Sequence, residues 1–156
     1  MLGLFKQKKK TGPVLFWKEY EKKCGEKVLA YTLGQYLSGW DEFNLSRRES
    51  LWGLLIATSG GFRFHHFPHE GWIQVLSRLS YGGEAPMEKT IFIPKDQLIS
   101  VEFWAEKSLF KKIFFPNFPR LLISYGDMGG KLVIETNQKA REIAIALSRI
   151  KSTTPP

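Results

Sequence analysis

Apolar and polar residues alternate along most of this chain with the period of a β-strand, giving way to helical spacing near each end. In Glu26–Tyr36, Leu29, Tyr31 and Leu33 alternate with Val28, Ala30 and Thr32, which predicts a first strand. Two apolar runs in Leu51–Phe67 flank Ser59-Gly60-Gly61, whose glycines supply the positive φ of a tight hairpin turn. There Phe62 and Phe64 alternate with Arg63 and His65. Thr90–Ile93 predicts a short strand ended by Pro94. In Leu98–Ala105, Ile99, Val101 and Phe103 fall on one face and Ser100 and Glu102 on the other. Pro119–Tyr125 and Lys131–Glu135 predict a second hairpin across Gly126–Gly130.

Helical spacing is clearest in Asn137–Ile150. Asn137 is placed to cap it, and Ala140, Ile143, Ala144, Leu147 and Ile150 form one apolar stripe. Lys139, Arg141, Glu142, Ser148 and Arg149 take the flanks and back. A short helix over Val14–Lys23 gathers Phe16, Trp17 and Tyr20 before the Cys24-Gly25 break. Pro68–Gly83 is ambiguous: Trp72, Val75, Leu76 and Leu79 have helical spacing, yet flanking glycines keep strand open as a second reading. Ser38–Ser50 reads as a polar turn and Gly82–Pro86 as a loop. The pattern predicts a mainly β domain over residues 14–151, closed by one terminal helix, with a basic tail over 1–13 and a flexible end over 152–156.

Composition refines this picture. A chain of 156 residues suffices for one core without disulfides. The twelve Phe, five Tyr and five Trp suit β-structure and also supply recognition surface. The single Cys24 has no intrachain partner, which points to a reducing compartment. Lys22, Lys23 and Lys27 would favour its thiolate, but no catalytic partner is visible, so it reads as a free thiol.

The net charge of +8 includes Lys6, Lys8, Lys9 and Lys10. Met1–Phe5 is too short for a secretory apolar region, Leu2 breaks the myristoylation pattern, and no apolar run is long enough to span a bilayer. A soluble, cytoplasmic protein is expected, able to sit peripherally at the inner face of a membrane. The tail is either solvated or a weak membrane contact. In the second case Leu2, Leu4 and Phe5 dip into the interface while each lysine contributes about 1 kcal/mol near anionic headgroups.

Catalytic chemistry finds little support. His65-His66-x-x-His69 with Glu70 is the one metal-like cluster, but a strand would aim His65 and His66 at opposite faces. No nucleophile motif, phosphate-cradling glycine loop or cysteine pair occurs, so neither cofactor, metal nor enzymatic activity is expected, and a metal-dependent enzyme built on the histidine cluster stands only as a remote alternative. The suggestive stretch is Glu106–Arg120, a long loop or hairpin carrying Lys107, Phe110, Lys111, Lys112, Phe114, Phe115, Phe118 and Arg120, with Pro116 and Pro119 blocking a regular ladder. Either it docks on an anionic bilayer or a protein, or Phe114, Phe115 and Phe118 fold back into the core while the lysines solvate the rim. Lys8, Lys9, Lys10, Arg47 and Arg48 are secondary basic contacts. No nucleic-acid fingerprint accompanies these residues.

Several segments resemble the pleckstrin-homology-like superfamily, within it the GRAM-like and bacterial PH-like domains. They are Gly25-Glu26-Lys27-Val28-Leu29, Gly53-Leu54-Leu55-Ile56-Ala57-Thr58 leading into Phe62-Arg63-Phe64, and Ile91-Phe92-Ile93-Pro94 with Leu98-Ile99-Ser100-Val101-Glu102. Lys131-Leu132-Val133-Ile134-Glu135 ahead of the helix completes the set, so the resemblance runs from Gly25 to Ile150. It implies a strongly bent, seven-stranded antiparallel sheet, nearly a barrel, with the C-terminal helix plugging one open end. It also implies a non-catalytic binding module for lipid, protein or membrane surface. Lipid-binding members carry basic residues around the first hairpin, whereas Ser38–Ser50 here sets Asp41, Glu42 and Glu49 against Arg47 and Arg48. The expectation is peripheral association with membranes or anionic lipid. The alternative is a protein-interaction or self-associating module, a homo-oligomer.

Overall fold

The structure, a computed structural model, describes residues 12–43, 51–66, 89–114 and 117–153. Pro68–Gly83, Arg47, Arg48, residues 1–11 of the basic tail, His69 and Glu70 lie outside the described residues. Seven strands are described: β1 Val28–Ser38, β2 Leu51–Thr58, β3 Gly61–His66, β4 Lys89–Pro94, β5 Leu98–Trp104, β6 Arg120–Tyr125 and β7 Gly130–Glu135. They pair antiparallel in one sheet, in the order β4-β3-β2-β1-β7-β6-β5. The helices among the described residues are α1 Gly12–Cys24, α2 Leu109–Phe114 and α3 Ala140–Ser152, with a 3₁₀ turn Lys95–Gln97 between β4 and β5. The end strands β4 and β5 are not paired to each other, so the curled sheet stays unclosed.

β1 is the hinge of the sheet. Its first part pairs with β2, and its last part, from Gln35, pairs also with β7. Where the two ladders meet, Gly34 lies directly across from Gly53. A Cβ on Gly53 would sit 2.4 Å from the His65 carbonyl oxygen and 2.7 Å from Phe64 Cζ, a space only glycine leaves open. The predicted Leu51–Phe67 hairpin turns through Ser59-Gly60, with Thr58 opposite Gly61. The second hairpin forms as expected, across Gly126–Gly129.

The concave face holds the main core. Ala57 and Phe62, then Leu55 and Phe64, face each other across β2 and β3, joined by Ile91 and Ile93 of β4 and by Leu121, Ile123, Leu132 and Ile134 from the other half of the sheet. Into this concavity α3 presses Ile143, Ala144 and Leu147. The predicted stripe is thus the buried one, and Ile150 packs at its margin. The helix begins at Ala140 rather than at Asn137. Asn137 instead shapes the turn ahead of it, where its Oδ1 accepts from Lys139 N–H at 2.9 Å and from the Thr32 hydroxyl at 3.0 Å.

The convex face of β1–β3 is covered as well. Leu54 and Ile56 lie outside the main core cluster yet are buried, and α1 lies on their side of the sheet, where Tyr20 bonds to His65, the cross-strand neighbour of Leu54. The Trp17 ring lies 4.1 Å from that of Tyr31 on β1. This explains the apolar residues on both faces of β1: Ala30, Thr32 and Tyr36 turn inward, while Leu29, Tyr31 and Leu33 face the α1 side.

In β5 the expected alternation breaks once. The β5–β6 register shifts between Leu98 and Ser100, so Leu98 is buried, Ile99 points to solvent, and Val101 and Phe103 return to the core margin.

Candidate functional site

The Glu106–Arg120 connection was expected as a loop or hairpin; it contains a helix instead. Ser108 caps α2: its carbonyl accepts from Lys112 N–H at 3.0 Å and its hydroxyl from Lys111 N–H at 3.4 Å. Glu106 Oε1 accepts from Ser108 N–H at 3.1 Å, tying down the approach. Two residues past Phe114 the sequence has Pro116, which is incompatible with continuing the helix.

At about 100° per residue, Leu109, Phe110, Ile113 and Phe114 share an arc of roughly 140°, with Lys111 and Lys112 on the other side. In a folded domain such an arc normally meets the core, but no residue of α2 is buried. Leu109 is 77% exposed, Phe110 66%, Ile113 71%, Phe114 61%, and Phe118 beyond the helix 63%. The Phe110 and Phe114 rings pack on each other, 4.6 Å apart. The reading in which Phe114, Phe115 and Phe118 return to the core is therefore overturned for Phe114 and Phe118. Phe115 lies outside the described residues. Lys107, Lys111, Lys112 and Arg120 are exposed around the same prong.

A second feature opens beside the base of the prong. A groove of about 590 Å³ runs between the end of β5 and the adjoining face of α3. Phe103, Ala144 and Ile145 form its apolar floor. Lys107, Arg141 and Arg149 stand around it with the Ser148 hydroxyl, and no carboxylate lines it. The Arg141 guanidinium lies 5.4 Å from the centre of the Phe103 ring, a cation–π contact that holds it over the floor. Among the described residues none of the three cations is ion-paired. Apart from Lys107, these groove residues were missed as a site in the sequence, although Arg141, Ile145, Ser148 and Arg149 follow helical spacing beside the core stripe. The partner strand, distant in sequence, is what turns that flank into a groove.

Other polar clusters serve the scaffold. Arg63 forks onto Glu26, with Nη2 donating to Oε1 at 2.8 Å and Nε to Oε2 at 3.1 Å, and Thr58 donates to the same carboxylate. Partial burial would raise the Glu26 pKa, but the hydrogen bonds from Arg63 and Thr58 and the Arg63 charge outweigh it and hold the carboxyl below its usual range. On its other side Arg63 lies 4.0 Å above the Phe92 ring.

His65 and His66 do point to opposite faces. His65 Nε2 meets the Tyr20 hydroxyl at 2.6 Å under α1, and His66 Nδ1 meets the Trp52 carbonyl at 2.7 Å. Burial, then the Arg63 charge, pushes the His65 pKa down to about 4. Among the described residues no group of His, Cys, Asp and Glu is placed to hold a metal ion. Cys24 is a half-buried free thiol whose Sγ contacts the Glu21 and Glu26 carbonyls at 3.8 and 3.6 Å. No helix among the described residues is long and apolar enough to cross a membrane.

No protein-family model matches the chain, and no curated protein matches it by sequence. Solved structures do resemble its fold. The hSac2 domain of the human phosphoinositide phosphatase Sac2 superposes with a TM-score of 0.53 at 15% identity, over 89% of this chain and 80% of that one. The C-terminal domain of an unknown protein from Leishmania infantum gives a TM-score of 0.50 at 11% identity, over 88% of this chain and 95% of that one.

Proposed function

We propose that this chain is a non-catalytic module of pleckstrin-homology-like architecture that docks peripherally on anionic membrane surfaces through the α2 prong. The observation that carries the reading is the unburied arc of Leu109, Phe110, Ile113 and Phe114 on a capped helix between lysines. Water is a poor solvent for that arc, whereas the boundary between headgroups and acyl chains accepts it while the lysine ammonium groups reach anionic headgroups. Lys6, Lys8, Lys9 and Lys10 add long-range attraction. The fold-level likeness to a domain of a phosphoinositide phosphatase is compatible with work at a lipid surface.

Vesicle sedimentation tests this: the full chain should be retained by vesicles containing phosphatidylserine at low salt and released as salt rises. Absence of retention at low salt refutes it. A protein partner or a second copy is the competing occupant of the same arc, and the edges of β4 and β5, unpaired among the described residues, offer a further contact for it. Light scattering that shows a dimer whose contact buries α2 would favour that reading over the membrane.

A further inference from the structure

We infer that the groove between β5 and α3 is a headgroup subsite for a lipid ending in a phosphomonoester. The prong then sets depth in the membrane and the groove selects among anionic lipids. This rests on the membrane reading above and adds a ligand chemistry to it.

Charge is the first argument. Lys107, Arg141 and Arg149 bring three positive charges to a groove with no lining carboxylate and, among the described residues, no ion pair. A phosphomonoester carries about −1.5 to −2 at neutral pH and offers several acceptor oxygens, which suits two arginine forks, an ammonium and the Ser148 hydroxyl. A carboxylate or phosphodiester headgroup would leave more of that positive charge uncompensated.

Shape is the second. Arg141 and Arg149 are eight residues apart on α3, about 12 Å along the helix. With the volume of about 590 Å³, that leaves room for a phosphate together with the glycerol beneath it, against the apolar floor of Phe103, Ala144 and Ile145.

Depth is the third. Lys107 belongs to the groove and stands two residues before Leu109, the first apolar residue of α2. An interfacial apolar helix sits about 5–10 Å into the headgroup and acyl boundary, so the residues at its base lie at the level of the lipid phosphates. The groove mouth is then where the ligand is. The first-hairpin stretch Ser38–Ser50, with its nearly balanced charges, is not involved.

The test compares vesicles of phosphatidylcholine alone, with phosphatidylserine, and with phosphatidic acid at matched total charge. The full chain should bind the phosphatidic acid vesicles about tenfold more tightly than the phosphatidylserine vesicles, as expected for charge-assisted forked contacts. Arg141→Gln with Arg149→Gln should erase that preference, weaken binding to both anionic vesicles through the loss of two charges until the two bind equally, and keep the melting temperature, since both residues are exposed.

Equal binding to the two anionic vesicles overturns the headgroup site while leaving the membrane reading intact, as does a preference that survives in the double variant. No retention on either anionic vesicle removes both readings. Glycerol 3-phosphate binding in solution, without any vesicle preference, overturns the lipid as source of the phosphate.

Discussion

Replacing Phe110 and Phe114 together by serine separates the prong from the scaffold, and its size follows from the structure. The two residues are 66% and 61% exposed. A phenylalanine buries roughly 200 Å² when fully enclosed, so each leaves roughly 120–130 Å² in water. At about 25 cal/mol per Å², full withdrawal from water stabilises the docked state by about 3 kcal/mol per ring. If half of that surface enters the interface, the pair contributes about 3 kcal/mol, or roughly a hundredfold in affinity. Folding stability should change by less than about 0.5 kcal/mol, because both rings are largely exposed and no residue of their helix is buried. Phe110→Ser/Phe114→Ser is therefore measured twice, by vesicle sedimentation against lipid concentration and by urea denaturation. A hundredfold loss of retention with an unchanged midpoint is expected. Unchanged retention, or a loss of stability of several kcal/mol, would refute the reasoning, since either shows that the rings do not present a free surface.

Three further outcomes follow from the scaffold. Leu147→Ala empties a fully buried position on α3 and should cost about 2–5 kcal/mol by denaturant titration; a cost below 1 kcal/mol would mean that α3 is not seated in the sheet. Gly53→Ala should cost about 1–3 kcal/mol, because the new Cβ meets the His65 carbonyl oxygen at 2.4 Å and the bent strands must shift; a stability equal to that of the parent would contradict the bend at Gly34 and Gly53. His65 is held neutral by burial and by Arg63 at a pKa of about 4, against an ordinary 6.5. The unfolded chain thus takes up this proton first as pH falls, and stability is lost between pH 6.5 and 4, by about 2 kcal/mol at pH 5 relative to pH 8. His65→Gln should flatten that slope, and an equally steep profile in the variant would rule His65 out as its source.

Much of the scaffold is written locally. Alternation in Leu51–Phe67 and Pro119–Glu135, glycines at the turns, and the stripe Ala140, Ile143, Ala144 and Leu147 each encode a face, and burial against any core satisfies them in the same way. Departures arise where a second element intrudes. The bulge at Ile99 depends on the β5–β6 register, and the apolar outer face of β1 makes sense only beneath α1. The short helix α2 was obscured because Pro116, Pro119 and interleaved lysines suggest a loop, whereas its signal is a Ser108 cap followed by six residues.

By itself the sequence determined a mainly β domain with an amphipathic C-terminal helix, an aromatic and cationic connection at Glu106–Arg120, and two histidines aimed at opposite faces. Those properties depend on residues close together along the chain, where period and turn chemistry decide the outcome. Tertiary structure alone decided that Phe110, Phe114 and Phe118 face water, because exposure depends on what else occupies the space beside them. It also decided that Lys107 and Phe103 meet Arg141 and Arg149 across one groove, since only the curl of the sheet brings β5 against α3.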